Sequence, residues 1–349
     1  MNIAIDISPL STGHKVRGTG FYLLHLKNAL IRYFPQNSYT FFSTQKEIPE
    51  NAEIIHYPYF EPFFLTLPVY KKKKTIVTVH DLTPLVFPKI FPVGIKGTIK
   101  WYIQRLSLRL ADAIITDSQS SRDDIEKFAG ISLSKIHVVY LAAGEEFIQL
   151  KDEKRKEEIR KKYKLPEKFA LYVGDITPNK NVPRIVEAAI AANIPLVLVG
   201  KALAAENLVK NSWNDDLVRM QKAIRDKKNI FLLGFIPTDD LVLLYNSATV
   251  LFSPSLYEGF GLPIVEAMSC GCPVITSHQG SLAEIAEDAV EIVDPYSQDA
   301  MQKVLEKVFN DKKLQESLSK RGLQQVKKFS WKKTAEETIK VYEEVLANK

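Results

Sequence analysis

Thr249-Val-Leu-Phe-Ser-Pro-Ser-Leu-Tyr-Glu258-Gly259-Phe260-Gly261-Leu262-Pro263-Ile-Val-Glu266-Ala-Met268 is the stretch whose reading decides the fold. Thr249–Pro254 is a short apolar run closed by Ser and Pro, the signature of a buried strand. Pro263 suits a first helical turn, where its missing N–H costs nothing. The segment is therefore one strand-to-helix unit. Gly259 and Gly261 free the backbone just before the helix, so that amides there can face an oxyanion. Glu258 and Glu266 bracket this turn. Carboxylates beside an anion site make sense where sugar hydroxyls donate to them. They read equally as a surface residue (Glu258) and a favourable charge in a first helical turn (Glu266).

Outward from this unit the pattern repeats. Phe169–Gly174, Pro195–Gly200 and Ile230–Gly234 are strands closed by glycine, and Pro273–Ser277 continues the series. Upstream, Asn2–Ile7, Tyr39–Ser43, Glu53–Tyr57, Thr75–His80, Ala113–Asp117 and Lys135–Leu141 form a first series. Strands alternating with helical stretches such as Phe21–Tyr33 and Val182–Ala192 argue for parallel sheets covered on both faces. The expectation is α/β, two Rossmann-like doubly wound domains facing across a cleft. The charged stretch Lys151–Lys164 is a linker running into a solvated helix. Residues 1–150 and 151–331 are the two domains, and Trp331–Leu346 is an amphipathic helix. Ligands of such sheets bind beyond the carboxyl ends of the strands, so the residues there are the candidates.

Three further loops qualify. Gly13-His-Lys-Val-Arg-Gly18-Thr-Gly20 lies between a strand and a helix. It fails both the P-loop and the dinucleotide patterns, because Thr19-Gly20 and Leu23 stand at the deciding positions. Thr78-Val79-His80-Asp81-Leu82 closes a strand with a histidine, either structural or able to bond a sugar hydroxyl or phosphate. Val173-Gly174-Asp175-Ile-Thr-Pro-Asn-Lys180-Asn181 places a lysine just before a helix, a diphosphate clamp or a solvated loop cation.

Of the 349 residues, 46% are hydrophobic and 25% charged, ordinary globular values that exclude a disordered chain. No apolar run reaches the ~18 residues of a membrane span, and Met1–Leu10 lacks the basic start of a signal peptide. The two cysteines, Cys270 and Cys272, are too close for an ordinary disulfide and have no zinc partners. Free thiols in a reducing cytoplasm are expected. The net charge is +6. The block Lys71–Lys74 reads as a solvated loop or as attraction to anionic lipid headgroups. The aromatic loops Phe60–Phe64 and Phe87–Phe91 read as core or as contacts to an acceptor or membrane. No nucleic-acid motif is present.

Taken together, Glu258 through Glu266 in Tyr-Glu-Gly-Phe-Gly-Leu-Pro-Ile-Val-Glu-Ala-Met resembles the signature of retaining glycosyltransferase family 4. Gly18–Gly20, Val79–Leu82, Asp117-Ser118, Lys180-Asn181, Gly234, Pro273-Val274, Phe329–Trp331 and Tyr342 fall in similar order across the chain. The resemblance implies a GT-B fold, with residues 332–349 packing back on the N-terminal domain. It implies that Glu266 binds the nucleotide ribose and Glu258 the donor sugar. The Gly259, Phe260, Gly261 and Leu262 amides would hold sugar and phosphate, and Lys180 the diphosphate, with Gly20 approaching it. His80 would lie by the donor sugar, and Gly234–Ile236 by the base. Many relatives carry an arginine where this chain has Asp175, and Arg17 is the expected substitute cation.

The implied reaction moves a hexose, with retention, from a nucleotide diphosphate sugar to a hydroxyl of a growing cell-surface glycan or lipid-linked acceptor. GDP-mannose is the first choice of donor and UDP-glucose the second, as in mannosyltransferases of polysaccharide and lipopolysaccharide assembly. An epimerase or a sucrose/glycogen-type synthase of the same fold is the alternative. No Asp-x-Asp occurs, so neither metal nor cofactor is expected. The expected location is cytoplasmic, peripheral to an anionic membrane.

Overall fold

The computed structural model describes residues 1–13, 18–201, 218, 220, 221, 224 and 227–348. Arg17 lies outside them. The chain divides into two compact units, Met1–Ala142 with Phe329–Lys349, and Ala143–Lys328.

The first unit is built on a parallel sheet of β1 (Asn2–Asp6), β2 (Ser38–Phe42), β3 (Ile54–Tyr57), β4 (Lys74–Thr78), β5 (Ala113–Thr116) and β6 (Ile136–Val138), ordered β2-β1-β3-β4-β5-β6. Its longer helices are α1 (Gly18–Tyr33) and α2 (Gly94–Arg109). The second unit carries α3 (Glu153–Lys162), β7 (Ala170–Val173), α4 (Val182–Ala191), β8 (Leu196–Val199), β9 (Ile230–Gly234), α5 (Thr238–Ser247), β10 (Val250–Ser253), α6 (Leu262–Ser269), β11 (Val274–Thr276), β12 (Glu291–Ile292), α7 (Gln298–Asn310) and α8 (Lys312–Gln325). Its sheet runs β12-β11-β10-β7-β8-β9, also parallel throughout. The chain returns to the first unit as α9 (Trp331–Ala347), which packs on α1.

Strands covered on both faces need apolar side chains at every position rather than at alternate ones. β8 reads Leu-Val-Leu-Val and is buried throughout, as are Val250, Leu251 and Phe252 of β10. α4 lays Val182, Ile185, Val186 and Ala189 on this sheet beside Met301, Leu305 and Val308 of α7. α9 starts at Ser330, whose hydroxyl accepts from Lys333 N at 3.2 Å, and buries Trp331, Ala335, Ile339 and Tyr342 at helical spacing.

The division between the units differs from the sequence boundary at 150. It falls at Ala142, because the segment after it is tied to α5. Phe147 meets Tyr245 edge-on at 5.9 Å, Leu150 N donates to Asn246 Oδ1 at 2.7 Å, and Asn246 Nδ2 donates to Ile148 O at 2.9 Å. The block Lys71–Lys74 is not a free loop either. Lys71 Nζ is bonded to Pro68 O and to Ser107, Lys73 Nζ to Glu50 O, and Lys74 Nζ pairs with Asp112 at 3.2 Å. Burial pulls the Lys71 ammonium down to about 8. Phe60 and Phe91 are core, whereas Phe64 is exposed. Cys270 and Cys272 are free and buried.

Candidate active site

In the second unit the strand order reverses between β7 and β10, the topological switch point where open parallel sheets bind ligands. Lys180 follows β7 and Glu258 follows β10. Their side chains meet there: Lys180 Nζ lies 2.6 Å from Glu258 Oε1 and 2.5 Å from Oε2. Ser255 Oγ donates to Glu258 Oε1 at 2.8 Å. Neither charged end points into bulk water, the side chains being 22% and 12% exposed.

The backbone holds this pair. Asn179 Nδ2 donates to Tyr257 O at 3.0 Å, and Leu256 N donates to Asn179 O at 2.7 Å, so the two loops are laced together. Asn181, at φ +61°, donates to Pro254 O and Pro295 O. Gly280, at φ +63°, lets its loop pass close to Glu258, since a Cβ there would stand 2.6 Å from Glu258 O. Tyr172, beneath the loop, donates to Asp175 O at 3.0 Å. Burial and the Glu258 charge hold its hydroxyl well above the usual range.

Gly261 caps α6 in the left-handed region at φ +92°, with no side chain capping the helix. Gly259, Phe260 and Gly261 are buried and Leu262 half-buried. Glu266 is not in the first turn, as the sequence allowed, but in the second. It is buried, and its Oε2 accepts from Tyr245 Oη at 2.9 Å. Burial pushes this carboxyl up to about 7; Tyr245 opposes the rise and the Glu146 charge adds to it. Tyr245, from α5, carried no signal in the sequence. Gly234, at φ +65°, ends β9, and Ile236 just after it is buried.

In the first unit His80 follows β4. His80 Nδ1 lies 2.7 Å from Asp117 Oδ2, and Tyr22 meets the ring edge-on at 4.7 Å. Burial works against charging His80, but the Asp117 charge and hydrogen bond, with Asp81, leave its pKa raised. Burial lifts Asp117 too, with His80 opposing. His80 Nε2 and Asp117 Oδ1 have no hydrogen-bond partner among the described residues. Below lies a polar chain. Tyr342 Oη and His56 Nδ1 are 2.7 Å apart, His56 Nε2 and Thr78 Oγ1 2.8 Å, and Thr78 Oγ1 and Tyr22 Oη 3.1 Å. Burial pulls His56 down to about 3, so it is neutral near pH 7. Gly20 is buried in the first turn of α1.

The structure thus pairs Lys180 with Glu258 just before α6, sets Glu266 against Tyr245 in the second turn of that helix, and joins His80 to Asp117, a residue the sequence reading left without a role. Among the described residues no group of three or more His, Cys, Asp or Glu has a metal-holding arrangement, and no helix is long and apolar enough to cross a membrane.

Two doubly wound parallel-sheet units, one with a lysine–glutamate pair at its switch point, define a class of α/β proteins that bind ligands beyond the carboxyl ends of their strands. Comparison with known proteins makes this narrower. Residues 155–325 match the model for glycosyl transferases group 1, and residues 10–143 the model for Glycosyltransferase Family 4. The chain is 32% identical over 284 residues to O-antigen chain mannosyltransferase B of Escherichia coli, covering 78% of this chain and 71% of that one. It is 30% identical over 284 residues to the serotype-specific mannosyltransferase WbdA of Escherichia coli, again 78% of this chain but only 34% of that longer protein. Among solved structures, sucrose-phosphate synthase from Thermosynechococcus elongatus superposes with a TM-score of 0.76 at 19% identity, covering 100% of both chains. The chain belongs to the group 1 (family 4) glycosyltransferases. It has their GT-B fold and is a hexosyltransferase.

Proposed function

We propose that the chain transfers mannose from GDP-mannose, with retention of the anomeric configuration, to a hydroxyl of a growing surface glycan of O-antigen type carried on a lipid. The observation that carries this reading is the Lys180–Glu258 pair, 2.5–2.6 Å apart beside the uncapped start of α6. A helix N-terminus and an ammonium together suit a diphosphate. The slow event is departure of that diphosphate from an oxocarbenium-like carbon, and fixed positive groups aimed at the leaving oxygens lower its barrier most. As the diphosphate takes Lys180, Glu258 is released to accept from the sugar hydroxyls. Glu266 accepts from the ribose diol.

Retention is supported by the state of the carboxylates. Glu258 is engaged by Lys180 and Ser255, and Glu266 by Tyr245. With the donor bound, the sugar hydroxyls engage Glu258 and the ribose diol Glu266, so neither is left as a base for an inverting attack and the leaving phosphate oxygen takes the acceptor's proton. The mannose reading draws its support from the O-antigen and serotype-specific mannosyltransferases that the chain resembles. No metal ion or cofactor enters the reaction, and the enzyme works at the cytoplasmic face of a membrane. The test offers the purified chain isotopically labelled GDP-mannose, UDP-glucose and dTDP-sugars with a lipid-linked mannoside. The product's linkage is then read by NMR. An α-mannosyl product from GDP-mannose alone is expected. A β-linked product overturns retention, and turnover of UDP-glucose alone overturns the donor.

A further inference from the structure

A strand covered on both faces calls for apolar side chains, as β8 shows, yet β3 reads Ile-Ile-His-Tyr and β4 ends in Thr. His56 and Thr78 are both 0% exposed. In a dry core such groups destabilise the fold unless their polar atoms find partners. They find them in one line. Tyr342 Oη of α9 stands 2.7 Å from His56 Nδ1, His56 Nε2 stands 2.8 Å from Thr78 Oγ1, and Thr78 Oγ1 stands 3.1 Å from Tyr22 Oη of α1. The two tyrosines at its ends are fully buried as well.

The line holds or breaks as a unit. Burial keeps His56 neutral, so its ring has one donor and one acceptor. Thr78 has a single hydroxyl proton. Given to His56, that proton leaves Thr78 to accept from Tyr22. Given to Tyr22, it leaves Thr78 to accept from His56. In either tautomer the bonds therefore run one way, from α1 to α9 or back. Apolar residues of the same shape would fill this part of the core with little loss of stability. Packing alone thus does not account for a polar line here.

What the line reaches is His80. The backbone past Thr78 stays in the ladder, Val79 N donating to Ile115 O at 2.9 Å, so Thr78 and His80 lie on one face of the strand path. Tyr22 lies across both. Its hydroxyl bonds Thr78, and its ring meets the His80 ring at 4.7 Å with the planes 83° apart. α9 holds Tyr22 from another side through Trp331, whose ring centroid is 6.3 Å from it. Trp331 and Tyr342 are eleven residues apart, about three turns along one face of α9. His80 is therefore constrained twice. Asp117 fixes the Nδ1 end of the ring at 2.7 Å, and Tyr22 fixes the tilt of its plane.

We propose that His56 and Tyr342 are positioning residues for the transfer reaction: acting through Thr78, they anchor the Tyr22 hydroxyl and so hold the Tyr22 ring, and with it the plane of His80, in a single orientation. The last helix of the chain is thereby part of the machinery rather than only a clasp on the first unit. Neither residue touches the reacting atoms. The inference rests on His80 serving the reaction, the role expected of a residue just beyond the carboxyl end of β4. Turnover that survives His80→Ala removes that role and the proposal with it, while leaving the proposed donor and linkage standing.

The test combines steady-state kinetics with NMR of chain isotopically labelled at its six histidines. Tyr342→Phe and His56→Leu each cut the line. Both are expected to lower kcat about ten- to a hundredfold with the donor KM nearly unchanged. Both are also expected to move the ring resonances of His80, assigned by their absence from the His80→Ala spectrum. His56→Gln, whose amide keeps a donor and an acceptor, is expected to recover most of kcat. Ile339→Val, a cavity variant in the buried face of the same helix, gauges lost packing alone: it should lower the melting temperature and leave kcat at the parent value. Near-parent kcat in Tyr342→Phe overturns the proposal, as do His80 resonances that stay in place in both cut variants. A loss of kcat that Ile339→Val matches, or His56→Gln as slow as His56→Leu, overturns it too. If His56→Leu does not fold, Tyr342→Phe, which deletes one oxygen, still decides the matter.

Discussion

The two units place chemistry at the same address by different means. In the second, a lysine and a glutamate from loops on either side of the switch point neutralise each other, and the backbone around them is tightly laced. In the first, one histidine is held by one aspartate, with His80 Nε2 and Asp117 Oδ1 lacking a hydrogen-bond partner among the described residues. A full ion pair answers a ligand that arrives with two charges, exchanging one strong contact for another. A histidine–aspartate pair holds a proton, and so answers a ligand with hydroxyls. On the proposed reading, charge neutralisation falls to the second unit, while the first holds a proton between His80 and Asp117.

The sharpest way to break it is Lys180→Ala. Loss of a preorganised cation at a departing diphosphate is expected to lower turnover by about 10²–10³-fold or more, and Glu258→Ala to be similarly severe. Thermal melts should show both variants folded. Near-normal turnover by either would remove the second unit's role.

Next in size is the pH dependence of donor binding. With the Glu266 carboxyl at about 7, the carboxylate proposed to accept the ribose hydroxyls is scarce in mild acid. Calorimetric affinity for GDP-mannose is expected to be about tenfold weaker at about pH 6 than at about pH 8, and Glu266→Gln to flatten the profile. In the free protein the same group acts on stability in the opposite sense. A buried carboxyl with a raised pKa favours the fold while protonated, so its contribution fades as pH rises from the usual carboxylate range through about 7. Tyr245→Phe removes the one group that opposes the rise. It should move the midpoint of the binding profile upward and cost about 1–3 kcal/mol of stability in a urea melt.

Asp117→Asn has the smallest expected effect on the fold and the clearest signature. Without the aspartate, burial is opposed only by the Asp81 charge and the Pro58 backbone, and the His80 pKa should fall from its raised value, read from the ring resonances by NMR. By the same sign, the intact pair stabilises the fold below the ordinary histidine pKa, and that contribution is lost as pH rises through the raised value. An unmoved His80 titration would show that the pair does not hold the ring's proton.

Much of this was legible in the sequence, for physical reasons. Strands buried on both faces are short apolar runs, and glycines such as Gly174 and Gly234 close them because the chain there has positive φ. The Glu258–Glu266 segment announces a strand, a turn and a helix by its Gly and Pro alone. What stayed hidden depends on partners far along the chain. Tyr245 meets Glu266 only because α5 packs beside α6, and nothing near Lys71–Lys74 shows that Ser107 and Asp112 await two of those lysines. The outward face of α2, with Ile95, Ile99, Tyr102 and Leu106 exposed, has the periodicity of a core helix, and only the hydrogen bonds of Gln104 and Ser107 reveal which face is inside.

The central claim is that the β7–β10 switch point receives the donor's diphosphate. A crystal structure of the chain saturated with GDP-mannose tests it most directly. The account predicts phosphate oxygens within hydrogen-bond distance of Lys180 Nζ at the start of α6 and the ribose diol on Glu266. A nucleotide bound elsewhere, or the Lys180–Glu258 pair unchanged beneath it, would contradict the account.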